Sequence, residues 1–253
     1  MYKKNKSIII HDKYKLIFFQ FIAHIGLLAL VFLGTWHHWL ITSIIYVITG
    51  CFGITMTYHR YLSHKSWNGP IWWEKFGSLC GFFGLVGSPI AWVATHRMHH
   101  RNTDKPGDPH SPVHHPWWRV QWFSMLDSAN PRYAVDLARN KFQLYLHKNY
   151  FKIHLFIFLV LGLYDPMLLL CAYLAPAAIL WNAGSFINSI THLHGYKNFE
   201  TKDNSRCNLL LGYFVFGEGW HNNHHADIPN PNFKVKWWEF DLGFTLIKLL
   251  RKN

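Results

Sequence analysis

The chain reads as an all-α integral membrane protein with four transmembrane helices and a cytoplasmic helical cap that carries clustered histidines. Three observations predict this. Hydrophobic residues make up 50% and aromatics 18% of the 253 residues, and only 15% are charged, which is membrane usage rather than soluble usage. Apolar runs of spanning length come in two pairs, and the lysines and arginines avoid the short connection inside each pair.

Taken in order, residues 16–34 and 39–57 each approach the roughly 20 residues that a helix needs to cross about 30 Å of hydrocarbon. They form a hairpin joined by the short stretch GTWHHW. The basic N-terminal residues are followed by an apolar run of span length without a small-residue cleavage site, so the first span is expected to be retained. A second apolar stretch, 153–190, is too long for one crossing. Asp165-Pro166 divides it, predicting spans at about 150–165 and 167–189. Lys152 snorkels at the end of the third span, Pro176 kinks the fourth, and Tyr150, Tyr164 and Trp181 serve as interfacial or tunnel aromatics. Between the pairs, residues 71–94 are apolar but broken by Gly77, Gly81, Gly84, Gly87 and Pro89, which suits an interfacial or re-entrant piece. A crossing there would separate the histidine clusters across the bilayer. The C-terminal mixture of Trp237, Trp238, Phe240, Phe244, Leu246 and Leu249 with charges reads as an interfacial lid.

Charge sets the orientation. Five Lys and Arg precede residue 16, twelve lie between 58 and 152, and eight lie from 197 onward. The positive-inside rule then makes both termini and the long central section cytoplasmic. The net charge of +12 either reflects this topology and attraction to anionic lipid, or forms a docking face for an acidic partner. Nucleic acid is excluded by the polytopic pattern and the lack of a recognised binding motif. Cys51, Cys80, Cys171 and Cys207 lack paired spacing, so neither a disulfide framework nor a thiolate site is expected. Residues 1–253 form a single domain.

Eight of the 19 histidines fall into three boxes: HRYLSH (His59, His64), HRMHH (His96, His99, His100) and HNNHH (His221, His224, His225). On an α-helix, positions i, i+3 and i+4 share a face, so each HxxHH box is expected to aim three imidazoles at one point. The first pair, about 140° apart on an ideal helix, suits a helix end. A single such box is compatible with a wet surface cluster; two copies plus a pair beside apolar runs point to metal. Zinc would recruit Cys or close as a four-ligand tetrahedron, whereas this surplus of imidazoles suits two metals, iron and dioxygen chemistry. Beside a lipid-fed slot, the natural guest is an acyl chain. A metal carrier or a His-rich pH sensor is the reading outside enzymology.

The stretches GITMTYHRYLSHKSW, WVATHRMHHRNTDKPGDPHSP, WNAGSFINSITHLHG and GEGWHNNHH resemble the membrane fatty acid desaturases. The similarity lies in the Δ9 branch of stearoyl-CoA and bacterial acyl-lipid enzymes and spans nearly the whole chain. The resemblance implies a diiron, O2-dependent enzyme that introduces a cis double bond, at Δ9, into a saturated chain carried on CoA or lipid. The alternative is a membrane diiron fatty acid or sterol hydroxylase. It implies nine iron ligands: His59, His64, His96, His99, His100, His192, His221, His224 and His225. It assigns Asn188 to one metal through water, and Trp92 and Trp181 to the acyl tunnel or to plain packing. Asp104, Asp108 and His110 are expected to brace a loop and orient imidazoles, as is Glu218. Arg97 and Arg101 either hold an acidic headgroup or pair with Asp104 or Asp108. Ser43, Tyr46 and Val47 are candidates to cap the tunnel floor. His194 is not expected to touch metal, and His24, His37, His38, His147 and His154 are interfacial or satisfied.

Two departures bear on the substrate. Where animal acyl-CoA enzymes carry an Arg-Asp pair before the second box, this chain has Ala94 and Thr95, which weakens the acyl-CoA assignment. Asp227 stands where relatives place an aromatic. No HPGG stretch is present, so a separate electron donor of ferredoxin or cytochrome b5 type is expected. The expected location is the bacterial inner membrane, otherwise the endoplasmic reticulum.

Overall fold

The computed structural model describes residues 13–123 and 129–251. The basic stretch before Lys13 lies outside the described residues. Helix α1 runs Lys13–Leu33 and α2 runs Trp36–Ser63. The start of α2 is fixed by the Thr35 N–H, which donates to His38 Nδ1 at 3.0 Å. From Val47 to Ser63 this rod is π-helical. Short helices follow: α3 (Trp73–Phe82), α4 (Pro89–Asn102), α5 (Trp117–Phe123) and α6 (Val135–Arg139). Then come α7 (Lys141–Tyr164), α8 (Pro166–Ile190), α9 (Leu209–Phe214), α10 (His221–Ala226) and α11 (Leu242–Leu250). No strand occurs among the described residues; isolated bridges join Tyr196 to Cys207 and Cys207 to Trp220.

Helices α1, α2 and α8 are long and apolar enough to cross a membrane. Helix α7, which contains the expected third span, starts nine residues earlier than 150 and carries Lys141, Lys148 and Lys152 in its first half. The chain turns at Asp165-Pro166, where the Asp165 carboxylate accepts the N–H of Met167 at 2.8 Å and that of Leu168 at 3.3 Å. Pro176 is accommodated by a π-helical turn, Leu170–Leu174, directly before it. Tyr150 and Trp181 are core residues rather than interfacial ones: each is buried, and the Gly87 N–H donates to the Tyr150 hydroxyl at 3.0 Å. Tyr164 is exposed.

One core, with Phe19, Leu85, Tyr173 and Leu174, joins α1 to α8; another, with Leu16, Phe82, Tyr150 and Trp181, ties both to α3 and α7. The outer faces are apolar too: Phe18, Phe21 and Phe32 of α1 and Phe156, Leu159 and Leu163 of α7 are exposed. A contiguous apolar exterior of this kind is stable only against lipid or another protein.

Residues 71–94 do not cross as one piece. Helix α3 is ten residues long and lies along the π-helical half of α2, with backbones in close approach. Gly53 and Gly81 make this possible: a Cβ on Gly53 would fall on the backbone of Gly81, and one on Gly81 would lie 2.6 Å from Tyr58 Cε1. Backbone cannot yield as a side chain can, so Gly53→Ala is expected to destabilise by about 1–3 kcal/mol, the usual cost of overpacking. Gly162→Ala, whose new methyl would meet only Leu169 Cδ2 at 3.4 Å, should leave the thermal midpoint in detergent unchanged. Equal midpoints for the two variants would refute the close-packing account.

Candidate metal centre

The π-helical register explains the first box. With i→i+5 bonding, the His64 N–H donates to the His59 carbonyl at 3.1 Å, and the two rings, 4.9 Å apart, share a face. Helices α4 and α10 supply the other two boxes, and His192 follows α8 by two residues.

The HxxHH boxes do not each converge on one point, as the sequence led us to expect; both are split. Nitrogens of His59, His64, His96, His100 and His224 lie within 4.8 Å of one another, and those of His99, His192, His221 and His225 form a second such group. At 3.6 residues per turn, positions i and i+4 are about 40° apart, while i+3 lies about 100° from i+4. His96 with His100, and His221 with His225, therefore stay together, and His99 and His224 turn to the neighbouring cluster. Each box helix thus serves both clusters, whose rings meet where His100 and His225 stack at 4.6 Å.

Four carboxylates grip the imidazoles from behind. His59 Nδ1–H donates to Glu218 at 2.5 Å, His99 to Asp108 at 2.8 Å, His192 to Asp104 at 3.0 Å and His225 to Asp203 at 3.0 Å. A proton committed at Nδ1 leaves Nε2 as a bare lone pair. These Nε2 atoms point inward: His59 meets His224 at 3.1 Å, and His192 meets His221 at 3.0 Å. His64 and His96 approach to 2.8 Å in the same way. His99 Nε2 and His225 Nε2 are buried and meet no hydrogen-bond partner. Converging buried lone pairs repel unless a cation lies among them, so the donor set fits metal. All-nitrogen ligation without thiolate suits two borderline first-row ions such as iron.

Electrostatics agree. Burial, reinforced by neighbouring imidazoles, lowers His64 to about 2 and His225, despite Asp203, to about 4. The same causes put His96, His100, His221 and His224 well below the usual imidazole range. Burial opposes ionisation of Asp108, yet its bond to His99 holds it at about 2; Asp104 and Asp203 are depressed in the same way by His192 and His225. Neutral rings and ionised carboxylates are the states a metal site needs.

The loop after α4 is braced as its carboxylates suggest. Asp104 also accepts from Ser111 Oγ at 2.6 Å and the Asn204 N–H at 2.7 Å, and Asp108 accepts the N–H of Asp104 and of His110. His110 is buried, its ring 5.4 Å from that of His99. Arg97 pairs with neither Asp104 nor Asp108. It binds Asp136 at 2.8 and 3.0 Å and the carbonyls of Leu62, Ser63 and Tyr133, locking the end of α2 to α6 and the turn before it. Arg101 and His194 are exposed, and His194 stands outside both clusters.

An apolar cavity ends on the clusters. His59, His96, His221 and Asn188 line its inner end, and Ile54, Val86, Trp92 and Leu180 line its walls. Trp92 stacks on His96 at 4.9 Å. Trp181 packs in the core with Leu16, Phe82 and Tyr150 and does not line the cavity. Nor does Val47: on α2 the lining residues are Gly50, Ile54, Thr55 and His59, and Val47 packs instead against the Cys51–Phe216 core. Ser43 bonds back to the Trp39 carbonyl, which leaves Tyr46, whose ring lies 5.1 Å from Phe216, as the nearest of the three candidates to the cavity wall.

Sequence reasoning missed Asp203 and the role of Arg60. Asp203 carries only an Asx-turn signature, its carboxylate accepting the Ser205 N–H at 3.0 Å. Arg60, fully buried, donates to Asp241 at 2.9 Å, Glu218 at 3.4 Å and the Pro231 carbonyl at 2.9 Å, and its guanidinium lies 3.9 Å from the Phe233 ring. Glu218 thus joins His59 to Arg60.

Two outcomes follow. Asp203→Asn is expected to weaken metal binding roughly 10–100-fold, the usual effect of removing a carboxylate behind a ligand histidine, in a chelator competition assay. Wild-type affinity in that variant would reject the orienting role. The folded imidazoles also refuse protons that the unfolded chain accepts near the ordinary value of 6.5. Metal-free protein should therefore lose stability progressively as pH falls below that value, read as a falling unfolding midpoint. A midpoint flat down to the value for His225 would contradict this.

The sequence matches the family model described as fatty acid desaturase over residues 16–248. Among curated proteins it is 36% identical over 241 residues to the sn-1 stearoyl-lipid 9-desaturase of Synechocystis sp., covering 92% of this chain and 75% of that one. It is 33% identical to the Delta-9 acyl-lipid desaturase 1 of Arabidopsis thaliana, with 92% and 78% covered. An acyl-CoA 5-desaturase of Anemone leveillei is 31% identical, with 90% and 73% covered. The chain belongs to the fatty acid desaturase family, oxidoreductases that introduce a double bond into fatty acyl chains.

Proposed function

We propose that this protein is a diiron, O2-dependent desaturase that forms a cis double bond at Δ9 of a saturated chain carried on a membrane lipid. One observation carries the reading: two groups of buried imidazoles stand side by side at the inner end of an apolar cavity. His59, His64, His96, His100 and His224 would hold one iron; His99, His192, His221 and His225, with Asn188 through water, would hold the other. Bound iron supplies reductive activation of O2 and the removal of two hydrogens from an unactivated methylene. The chain supplies position: apolar walls align the acyl chain, Trp92 forms the wall nearest His96, and the enclosed site keeps out competing water. Glu218, Asp104, Asp108 and Asp203 hold the Nδ1 protons of His59, His192, His99 and His225 and so keep the Nε2 of those four rings available. A lipid carrier is supported by the names of two relatives and by uncharged Ala94 and Thr95. Ala94 is buried in the core, and the Thr95 hydroxyl bonds to the Ala91 carbonyl.

In this reading α7 is the fourth span, supported by its exposed apolar residues beyond Tyr150, and α3–α6 with α9–α11 form a cytoplasmic cap. Electrons come from a separate donor of ferredoxin or cytochrome b5 type, which the basic face attracts.

Expression in cells that lack their own desaturase, followed by double-bond localisation in extracted lipids, tests the proposal. The expected product is a Δ9-unsaturated acyl lipid, with two irons per purified chain and loss of product in His99→Ala and His64→Ala. A hydroxylated chain would instead make the protein a hydroxylase, and product retained in either His variant would sink the ligand assignment.

A further inference from the structure

The two imidazole groups differ in what stands behind them. In the group of four, three rings bond to carboxylates: His99 to Asp108, His192 to Asp104 and His225 to Asp203. In the group of five, among the described residues, His59 alone does so, through Glu218. The carboxylates differ as well. Asp104, Asp108 and Asp203 are otherwise held by hydroxyls and backbone N–H groups, and no lysine or arginine bonds to them among the described residues. Glu218 instead shares Arg60, whose guanidinium is fully buried and also binds Asp241 at 2.9 Å.

In whole charges, three negative ones stand behind the group of four, whereas Glu218, Arg60 and Asp241 together leave one behind the group of five. Arg101, Lys105 and Lys202 do not redress this. They are exposed to screening water, and they share a pocket with one ring of each group, His100 and His225. The rings feel the same imbalance. Burial sets both His64 and His225 low, but Arg97 and Arg60 press His64 lower still, and Asp203 pulls His225 back up. A carboxylate behind an imidazole makes that ring a stronger donor and places negative charge close behind any bound ion. In an enclosed site this attraction is weakly screened, and it grows in proportion to the charge of the ion.

We infer that the two metal positions are unequal: the one ringed by His99, His192, His221 and His225 takes the first divalent ion and, in iron-loaded protein, is the first to hold a ferric one. This rests on the two-metal reading of the clusters. The group of five has one more ring, yet four of its rings lack a carboxylate and the fifth shares its carboxylate with a cation. Charge and donor strength therefore both favour the group of four, and both matter more for a trivalent ion than for a divalent one.

The first test gives metal-free wild type one equivalent of Co2+ and locates the ion by anomalous diffraction. The stronger peak is expected among His99, His192, His221 and His225. Equal peaks, or a stronger one in the group of five, overturn the inference and leave the two-metal reading standing; excess Co2+ that fills neither group sinks both. A second readout titrates iron-loaded protein with ferricyanide, which accepts one electron from each ferrous ion oxidised. Asp203→Asn keeps the shape of the side chain and removes its charge. It should raise the lower of the two potentials by about 59 mV, a tenfold change in the ferrous-to-ferric ratio, and Glu218→Gln should raise the upper one instead. The reverse pattern, or no shift in either variant, overturns the inference. The anomalous map needs no substitution, so it decides even where a variant loses iron. Cobalt placed as expected in a protein that leaves acyl chains saturated would sink the desaturase reading alone.

Discussion

Everything at this site depends on where one proton sits in each of four imidazoles. Glu218, Asp104, Asp108 and Asp203 hold that proton at Nδ1, turned away from the clusters, so that Nε2 faces inward without one. In a buried environment this is an unfavourable arrangement by itself, because lone pairs crowd together where no water can separate them. The fold therefore carries a standing electrostatic preference for cations at two adjacent points. The helices supply only direction; the carboxylates supply the chemistry of the donor atoms.

That division of labour recurs through the molecule. Long apolar rods, three of them long and apolar enough to cross a membrane, give the frame, and irregular segments between and after them bring polar groups together at the histidine clusters. The Asp104–Ser111 loop, the Asp203 turn and the segment around Glu239 are each fastened by carboxylates that accept backbone N–H groups. Asn222 and Asn223, between the histidines of the third box, act likewise: Asn222 accepts the N–H groups of Asn198 and Phe199, and Asn223 donates to Glu239 and to the Phe233 carbonyl. Loops so restrained can hold ligands as rigidly as helices do.

The sequence was most readable where a residue type has one physical meaning. Asp165-Pro166 can only interrupt an apolar run, and the chain turns there. Histidines at i, i+3 and i+4 beside apolar stretches pointed to clustered imidazoles, and these rings gather with His59, His64 and His192 into two groups that could hold a metal ion. It was less readable where hydrogen-bond register or tertiary contact decides. Nothing in VITGCFGITMTYHRYLS specifies i→i+5 bonding, so the first box looked mismatched until the π-helix supplied its geometry. The splitting of the other two boxes depends on the small angular difference between neighbouring helix positions, which matters only once a second cluster is present. Asp203 reaches His225, and Arg97 reaches Asp136, through folding that no spacing encodes. Val47 was assigned one turn too far from the cavity because its wall is defined by Gly50, a residue with no side chain to announce itself.

Arg60 has a consequence for the order in which the molecule is made. Its guanidinium is wholly enclosed, yet its ionic partner Asp241 lies 181 residues later, and Glu218 lies 158 residues later. During synthesis α2 is made with this cation unpaired, and it remains so until the segments carrying Glu218 and Asp241 have left the ribosome. The histidine behind Glu218 is oriented only then. Assembly of the two imidazole clusters is thus a late event of biogenesis, gated by the arrival of the segments that carry Glu218 and Asp241.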